Sequence, residues 1–438
     1  MNDLLEGFFD LKEKGTNIKT EVIAGMTTFV TMVYILAVNP LILQDAGMDP
    51  GAVFTATCLA TIISTICMAI FSNYPFVLSA GMGINAYFAY VIVGKMGMDF
   101  RFALCAVFLE GIIFILLTFV KAREAIVNSI PASLKSAVAV GIGLFIGFIG
   151  LQQAGIIVLD EVTLVTLGDL RSPGAIVCIV GLITTALLLI KNIPGALLIG
   201  VLISTLVGIP LGVTQTPQAI VSAPPSLKPT FLAFRSVSLQ QIFSVSMMTA
   251  VITLLFVDLF DTIGMLVGTA SKADMLDENG ELPRATGALF ADAVGTTIGA
   301  ILGTSTITTF AESTAGISEG GRTGLTGIVA SLLFLMAMFF SPIFLAIPGA
   351  ATASALLYVG LFMLANITKI GFDDYTESIP AYLTMILMPL TYSIGNGLMF
   401  GIISYAICKL ISGRYKECSV VVYILATLFV LKIIFLGV

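Results

Sequence analysis

Apolar residues run along this chain in windows of about 20, the length that crosses about 30 Å of hydrocarbon as a helix. Such windows fall at 22–43, 52–71, 76–93, 101–120, 131–151, 172–190 and 193–212. A polar loop follows at 213–238, punctuated by Pro217, Pro224, Pro225 and Pro229, with an interfacial return at 238–245. Further windows come at 245–269, 285–302, 305–317, 323–341, 345–366, 378–393 and 396–412, and an extra one at 418–437. The pattern is seven spans, a linker, seven spans and a remainder. Two stretches breach it: 78–90 (LSAGMGINAYFAY) and 302–324 (LGTSTITTFAESTAGISEGGRTG) are too rich in small and polar residues for ordinary spans. Irregular backbone survives at membrane depth only where it is buried in protein or lines a cavity. The two stretches are therefore expected to wall a substrate site.

Repetition supports pairing them. Pro131 followed by Gly143-Leu144-Phe145 matches Pro348 followed at the same distance by Gly360-Leu361-Phe362, which are the fifth and twelfth spans. The small-residue stretches belong to the third and tenth. Both pairs are seven spans apart, and because seven is odd the two halves enter the membrane from opposite sides. Broken segments at matching positions of an inverted repeat are the best sequence pointer to a transporter's site.

Composition narrows the class. Of 438 residues 58% are hydrophobic and 11% charged, against about 25% charged in soluble domains, so the fold class is an all-α polytopic membrane protein. The segment 1–21 is polar, with no cleavable signal pattern ahead of the first span. His is absent and the six Cys form no CxxC pair, which gives a metal site, a cofactor or a disulfide framework no support. The net charge of −6 gives none to nucleic-acid binding. With the N-terminus cytoplasmic, about 14 of the 20 Lys and Arg fall inside, Lys121, Arg123, Lys272 and Lys369 among them, as a correct span count requires.

Acids inside spans are few, and each costs roughly 2.5–3.5 kcal/mol on insertion scales, so each is a functional candidate. They are Glu110 in span four, Asp258 and Asp261 in span eight, Asp292 in span nine and Glu312 in span ten. Asp258 and Asp261, three apart, share a helix face and can share a proton. Glu110 and Asp292 equally suit bonding to neighbouring helices. Glu312 follows Thr304, Ser305, Thr306, Thr308 and Thr309, which read as a short extended strand entering a helix near Phe310. In the other half Gly81 and Gly83 allow close backbone approach, and Asn85 supplies donor and acceptor. Acceptors, an amide and free backbone groups suit a planar, neutral, hydrogen-bonding solute, with Phe310, Phe88 and Tyr87 available to stack. Gly320-Gly321-Arg322 reads as the turn after the tenth span.

Four blocks carry a family resemblance: GTNIKTEVIAGMTTFVTMVYILAVNP from Gly15, SAGMGINAYFAY from Ser79, DLFDTIGMLVG from Asp258, and ADAVGTTIGAILGTSTITTFAESTAGISEGGRTGLTG from Ala291. The chain resembles, over nearly its whole length, the AzgA-like purine permeases, the bacterial hypoxanthine/guanine/adenine branch of the nucleobase:cation symporter-2 superfamily. The resemblance implies fourteen segments in a 7+7 inverted repeat, with short antiparallel strands in segments 3 and 10. It also implies a core domain (1–120 and 239–342) and a gate domain (121–238 and 343–438), with the helices at 141–145 and 358–362 at their moving interface. The family's span-eight acid falls on Asp258 or Asp261. Asp261, with Gly264 and Leu266 three and five residues on, fits the frame of the related uracil permeases, and Asp258 fits the purine branch alone. The span-ten acid falls on Glu312, flanked by Phe310 and Ala311 where the relative supplies an aromatic and backbone contacts, and Asn85 falls on a span-three Asn. One departure is the missing His after the span-eight acid, so a proton relay must run through carboxylates and water.

The expected function is proton-coupled import of a purine nucleobase, hypoxanthine or guanine first and adenine next, across the cell membrane. Expected substrate contacts are Glu312, Asp258, Asp261, Asn85, Phe310, Ala311, Thr309 and Gly83, and expected proton-coupling groups are Asp258, Asp261, Glu312 and Asp292. Na⁺ is the less favoured coupling ion, and a homodimer is the expected assembly. An anion transporter of the same architecture fits poorly with three acids at the site, and an enzyme fits poorly with no His and no clustered Cys.

Overall fold

The computed structural model describes residues 6–119, 131–217, 219–272, 275 and 282–436; Lys121 and Arg123, and the side chain of Lys272, lie outside the described part. Among the described residues nine helices are long and apolar enough to cross a membrane. In chain order the elements are α1 (Ile18–Met32), α2 (Ile35–Gln44), α3 (Pro50–Phe71), β1 (Leu78–Ala80), α4 (Met82–Ala86), a π-helix (Tyr87–Lys95), α5 (Phe100–Phe119), α6 (Ala132–Gln153), β2 (Ile157–Asp160), β3 (Leu164–Leu167), α7 (Pro173–Ile190) and α8 (Ala196–Gly208). After the linker come α9 (Leu239–Ile242), α10 (Val245–Lys272), α11 (Ala285–Leu302), β4 (Ile307–Thr309), α12 (Ser313–Ser318), α13 (Gly324–Ala337), α14 (Ser341–Leu345), α15 (Gly349–Leu364), α16 (Tyr375–Leu390), α17 (Ile394–Ile411) and α18 (Val420–Leu436).

Local sequence sets the helix starts. The side chains of Asn17, Asp49, Ser172 and Ser393 accept the otherwise orphaned N–H groups of Thr20, Ala52, Ala175 and Asn396. Pro50 and Pro173 occupy first-turn positions, where no N–H is needed. The turn at 320–323 is held from α1: the buried Glu21 accepts from the N–H of Arg322 (2.8 Å) and the hydroxyl of Thr326 (2.6 Å).

The two breaches of the apolar pattern meet. β1 and β4 pair antiparallel, Leu78 opposite Thr309, Ser79 opposite Thr308 and Ala80 opposite Ile307. The ladder continues from Phe310 N–H to the Val77 carbonyl and from Gly81 N–H to the Thr306 carbonyl, both 3.0 Å. β-Branched residues fill 306–309, which favours extended backbone. So small a sheet leaves strand edges that no water reaches, and neighbouring hydroxyls satisfy them. Thr296 on α11 bonds both the N–H and the carbonyl of Ile307, Thr65 on α3 receives the N–H of Leu78, and Ser313 receives that of Val77.

α6 and α15 pack against each other, and the matched glycines of the repeat lie at their contact. A Cβ on Gly143 would come within 2.7 Å of the Gly360 carbonyl oxygen, and one on Gly360 within 2.5 Å of the Gly143 carbonyl oxygen.

Some elements differ from the helical reading of the sequence. The window at 305–317 is a strand and a six-residue helix that begins at Ser313, three residues beyond the expected start at Phe310. The segment between the windows at 131–151 and 172–190 contains the hairpin β2–β3, turned by Asp160, whose side chain accepts from the N–H groups of Val162 and Thr163. The remainder at 418–437 forms α18, which packs on α17.

Candidate functional site

Where β1 and β4 give way to α4 and α12, the structure encloses a cavity of about 270 Å³. One wall is the sheet and its junctions (Gly81, Met82, Gly83, Thr308, Thr309, Phe310, Ala311, Glu312, Thr314) with Asp261, Met265 and Thr269 of α10. The opposite wall comes from α6 and α15 with the turn after it: Ile146, Val359, Phe362, Met363, Ala365, Asn366 and Lys369. A second cavity of about 750 Å³ shares Ala311, Glu312, Thr314, Phe362 and Ala365 with the first and is otherwise largely apolar, with Ile193, Pro194, Leu197 and Leu364 in its walls.

Two acids therefore face one space. Glu312 precedes α12 as its N-cap residue, and its Oε1 receives the phenol hydroxyl of Tyr34 at 2.5 Å. Asp261 reaches the cavity from α10, and close approach of the β1 junction depends on glycine there. A Cβ on Gly81 would lie 2.7 Å from Cγ2 of Thr308 and 3.5 Å from Oδ2 of Asp261. Thr309 also lines the cavity, with its hydroxyl oxygen buried and without a hydrogen-bond partner among the described residues. Buried polar atoms are almost always paired.

The remaining candidates sit behind the sheet. Asp258 is fully buried and is not part of the cavity wall. Its Oδ1 lies 2.8 Å from Oγ1 of Thr262, which is also 3.0 Å from Oδ1 of Asp292 and 2.9 Å from Oγ1 of Thr308. Thr262 thus joins the two aspartates to each other and, through Thr308, to the cavity. Asn85 is likewise fully buried outside the wall: it donates to Oδ1 of Asn39 (2.6 Å) and accepts from the hydroxyl of Ser305. Asn39 in turn donates to Thr57 (2.7 Å) and Thr304 (2.9 Å), so the amides knit β1's exit to β4's approach. Glu110 receives the hydroxyl of Thr306 at 2.7 Å. Of the three rings, Phe310 lines the cavity, while Tyr87 and Phe88 are buried in the packed interior.

Sequence reasoning passed over Tyr34, Asn39 and the α15 wall. The two polar residues lie inside an interrupted first span that contains Pro40, a faint signal. On α15 the repeat marks 358–362, Val359 and Phe362 among them, as an interface but not as a cavity wall, and Met363 carries no signal.

A family model described as Permease family matches residues 19–401. The chain is 49% identical over 433 residues to a putative permease of Methanocaldococcus jannaschii, with 99% of each chain covered. It is 43% identical to an adenine permease of Escherichia coli, covering 99% of this chain and 96% of the relative. It is also 43% identical to a guanine/hypoxanthine permease of Bacillus subtilis, covering 99% and 100%. Among solved structures, the transmembrane domain of the cyanobacterial bicarbonate transporter BicA superposes with a TM-score of 0.64 at 16% identity, over 87% of this chain and 97% of that one. SLC26A9 gives 0.60 at 13% identity, over 90% and 66%. These two likenesses establish a shared transporter fold.

Proposed function

Because the chain belongs to this permease family, as its motifs anticipated, we propose that it imports purine nucleobases, hypoxanthine or guanine first and adenine next, by proton symport. The observation that carries this reading is the set of groups around the smaller cavity: two carboxylates, Asp261 and Glu312, and the orphaned hydroxyl of Thr309, in a chain 43% identical to an adenine permease and to a guanine/hypoxanthine permease. A planar base with alternating N–H donors and acceptors complements such a set. Phe310 offers a ring face, and Gly81, Gly83 and Ala311 let backbone come close.

Proton coupling is supported by hydrogen counting at Thr262. A hydroxyl carries one hydrogen and accepts two bonds. Three oxygen neighbours at 2.8–3.0 Å therefore need hydrogens from two of those neighbours. Thr308 can supply one, and in this reading a protonated carboxyl group on Asp258 or Asp292 supplies the other. The Asp258–Asp292 pair then carries the coupled proton, Asp261 and Glu312 meet the base, and Thr308, which bonds Thr262 and lines the cavity, links them.

We read the architecture as fourteen segments in a 7+7 inverted repeat. The core domain (1–120, 239–342) carries the sheet, and the gate domain (121–238, 343–438) carries α6 and α15. The reciprocal Gly143–Gly360 contact and the β1–β4 pairing support that division. The protein then sits in the cell membrane with its N-terminus cytoplasmic and works without a cofactor.

The test is uptake of labelled hypoxanthine, guanine, adenine, xanthine and uracil into cells lacking their own permeases, with and without a protonophore. Accumulation of purines that collapses with the protonophore is the expected result. Absence of purine accumulation overturns the substrate, and accumulation that ignores the protonophore but requires Na⁺ overturns the coupling ion.

A further inference from the structure

The first span is broken where it passes the candidate site. α1 stops at Met32 and α2 starts at Ile35. Pro40 has no N–H to offer the Leu36 carbonyl, and the preceding turn tightens, with Leu36 N–H bonded to the Val33 carbonyl and Ala37 N–H to that of Tyr34. The phenol of Tyr34 projects from this break. It is fully buried and lines neither cavity, yet its hydroxyl lies 2.5 Å from Oε1 of Glu312, a separation typical of a hydroxyl donating to a charged acceptor. Thr31, one turn earlier, approaches the Glu312 backbone carbonyl at 3.5 Å. Among the described residues Tyr34 is the only side-chain partner of the Glu312 carboxyl group.

Resting on the reading that Glu312 meets the base, we propose that Tyr34 is the positioning residue for that carboxylate. The terminal torsion of a glutamate is broad and two-fold, so an untethered carboxyl group at a cavity wall samples many orientations. The Tyr34 bond pins Oε1 away from the cavity and presents Oε2 to the ligand, which replaces a freely turning acceptor by one of fixed direction. Ordering Glu312 in advance removes that cost from each binding event. Tyr34 acts on affinity through Glu312 and touches no substrate itself.

The test uses the purified full-length protein and hypoxanthine, with calorimetric Kd beside KM and Vmax for uptake. Tyr34→Phe is expected to raise Kd and KM about tenfold and to leave Vmax within twofold. 4-Fluorophenylalanine at position 34 fills the hydroxyl's place without a hydrogen to donate; it is expected to show the same loss and replaces Phe where that variant does not fold. 3-Fluorotyrosine, which keeps the donor, is expected to hold Kd within threefold of wild type. Kd within twofold of wild type in the two donor-free variants overturns the proposal, as does 3-fluorotyrosine binding as weakly as they do, because a packing role would then explain the loss. If the wild-type protein itself binds no hypoxanthine, the substrate reading has failed and this proposal falls with it, a result distinct from selective loss in the variants.

Discussion

Replacing Thr309 by Val separates a ligand-binding hydroxyl from a structural one, because the two roles predict opposite signs for stability. The hydroxyl oxygen of Thr309 is buried on the cavity wall and has no partner among the described residues. Leaving a buried hydroxyl unpaired costs about 1–3 kcal/mol. Valine keeps the side chain's shape and removes the orphan, so the empty protein gains roughly 1 kcal/mol, a rise of about 1–2 °C in Tm for a chain of this size. A bound base that bonds the hydroxyl loses that bond in the variant, worth about 0.5–1.5 kcal/mol, so hypoxanthine affinity falls about threefold to tenfold. Detergent-solubilised wild type and T309V are compared by thermal unfolding with and without hypoxanthine, and by calorimetry. A variant that melts lower without ligand would show that Thr309 has a structural partner, and unchanged Kd would remove the hydroxyl from the site.

Glu312→Gln is expected to abolish concentrative purine uptake while leaving the protein folded, measured by uptake and by thermal unfolding; wild-type KM in this variant refutes its contact with the base. Asp258→Asn and Asp292→Asn, behind the sheet, are expected to leave exchange of labelled for unlabelled base running but to remove its response to a protonophore, which proteoliposome assays read directly. Gly360→Ala forces a Cβ to within 2.5 Å of the Gly143 carbonyl oxygen. It is expected to slow transport at least tenfold with Kd little changed, and full-speed transport counts against a part for the α6–α15 contact in the movement of the gate domain. At the end of α17 and the start of α16, hydrogen bonds from Arg414 hold the carboxyl groups of Asp374 and Glu417 down to about 2. Their ordinary values are 3.8 and 4.5, so the stability they contribute is present above that range and is lost as pH falls toward 2. Thermal unfolding of Arg414→Gln should therefore show a shallower decline between pH 5 and 2 than wild type.

The class of protein, and the two stretches that meet at the cavity, were legible because membrane burial makes polar residues conspicuous. In an apolar chain, TSTITTFAES and SAGMGIN stand out, and the pairing of β1 with β4 joins them. Glu312, Asp261, Thr309, Phe310, Ala311 and Gly83 all lie on the cavity wall. The reading could not separate Asp258 from Asp261: both were placed on one helix face, and which of them reaches a cavity depends on how α10 turns against the sheet. Asn85, expected among the substrate contacts, bonds Asn39, 46 residues away on another helix, a pairing that no local pattern displays. Tyr34 was invisible for the same reason, its acceptor lying 278 residues on. The hairpin β2–β3 was absorbed into a loop because its alternation, IVLD and LVTL, is too short to register against apolar spans on both sides.

The most direct measurement is the uptake of labelled hypoxanthine by permease-deficient cells expressing this chain. The account predicts accumulation above the external concentration, competed by guanine and adenine, collapsed by a protonophore and lost in Glu312→Gln. Cells that take up no more hypoxanthine than the empty host, while the protein is present in their membrane, would contradict it.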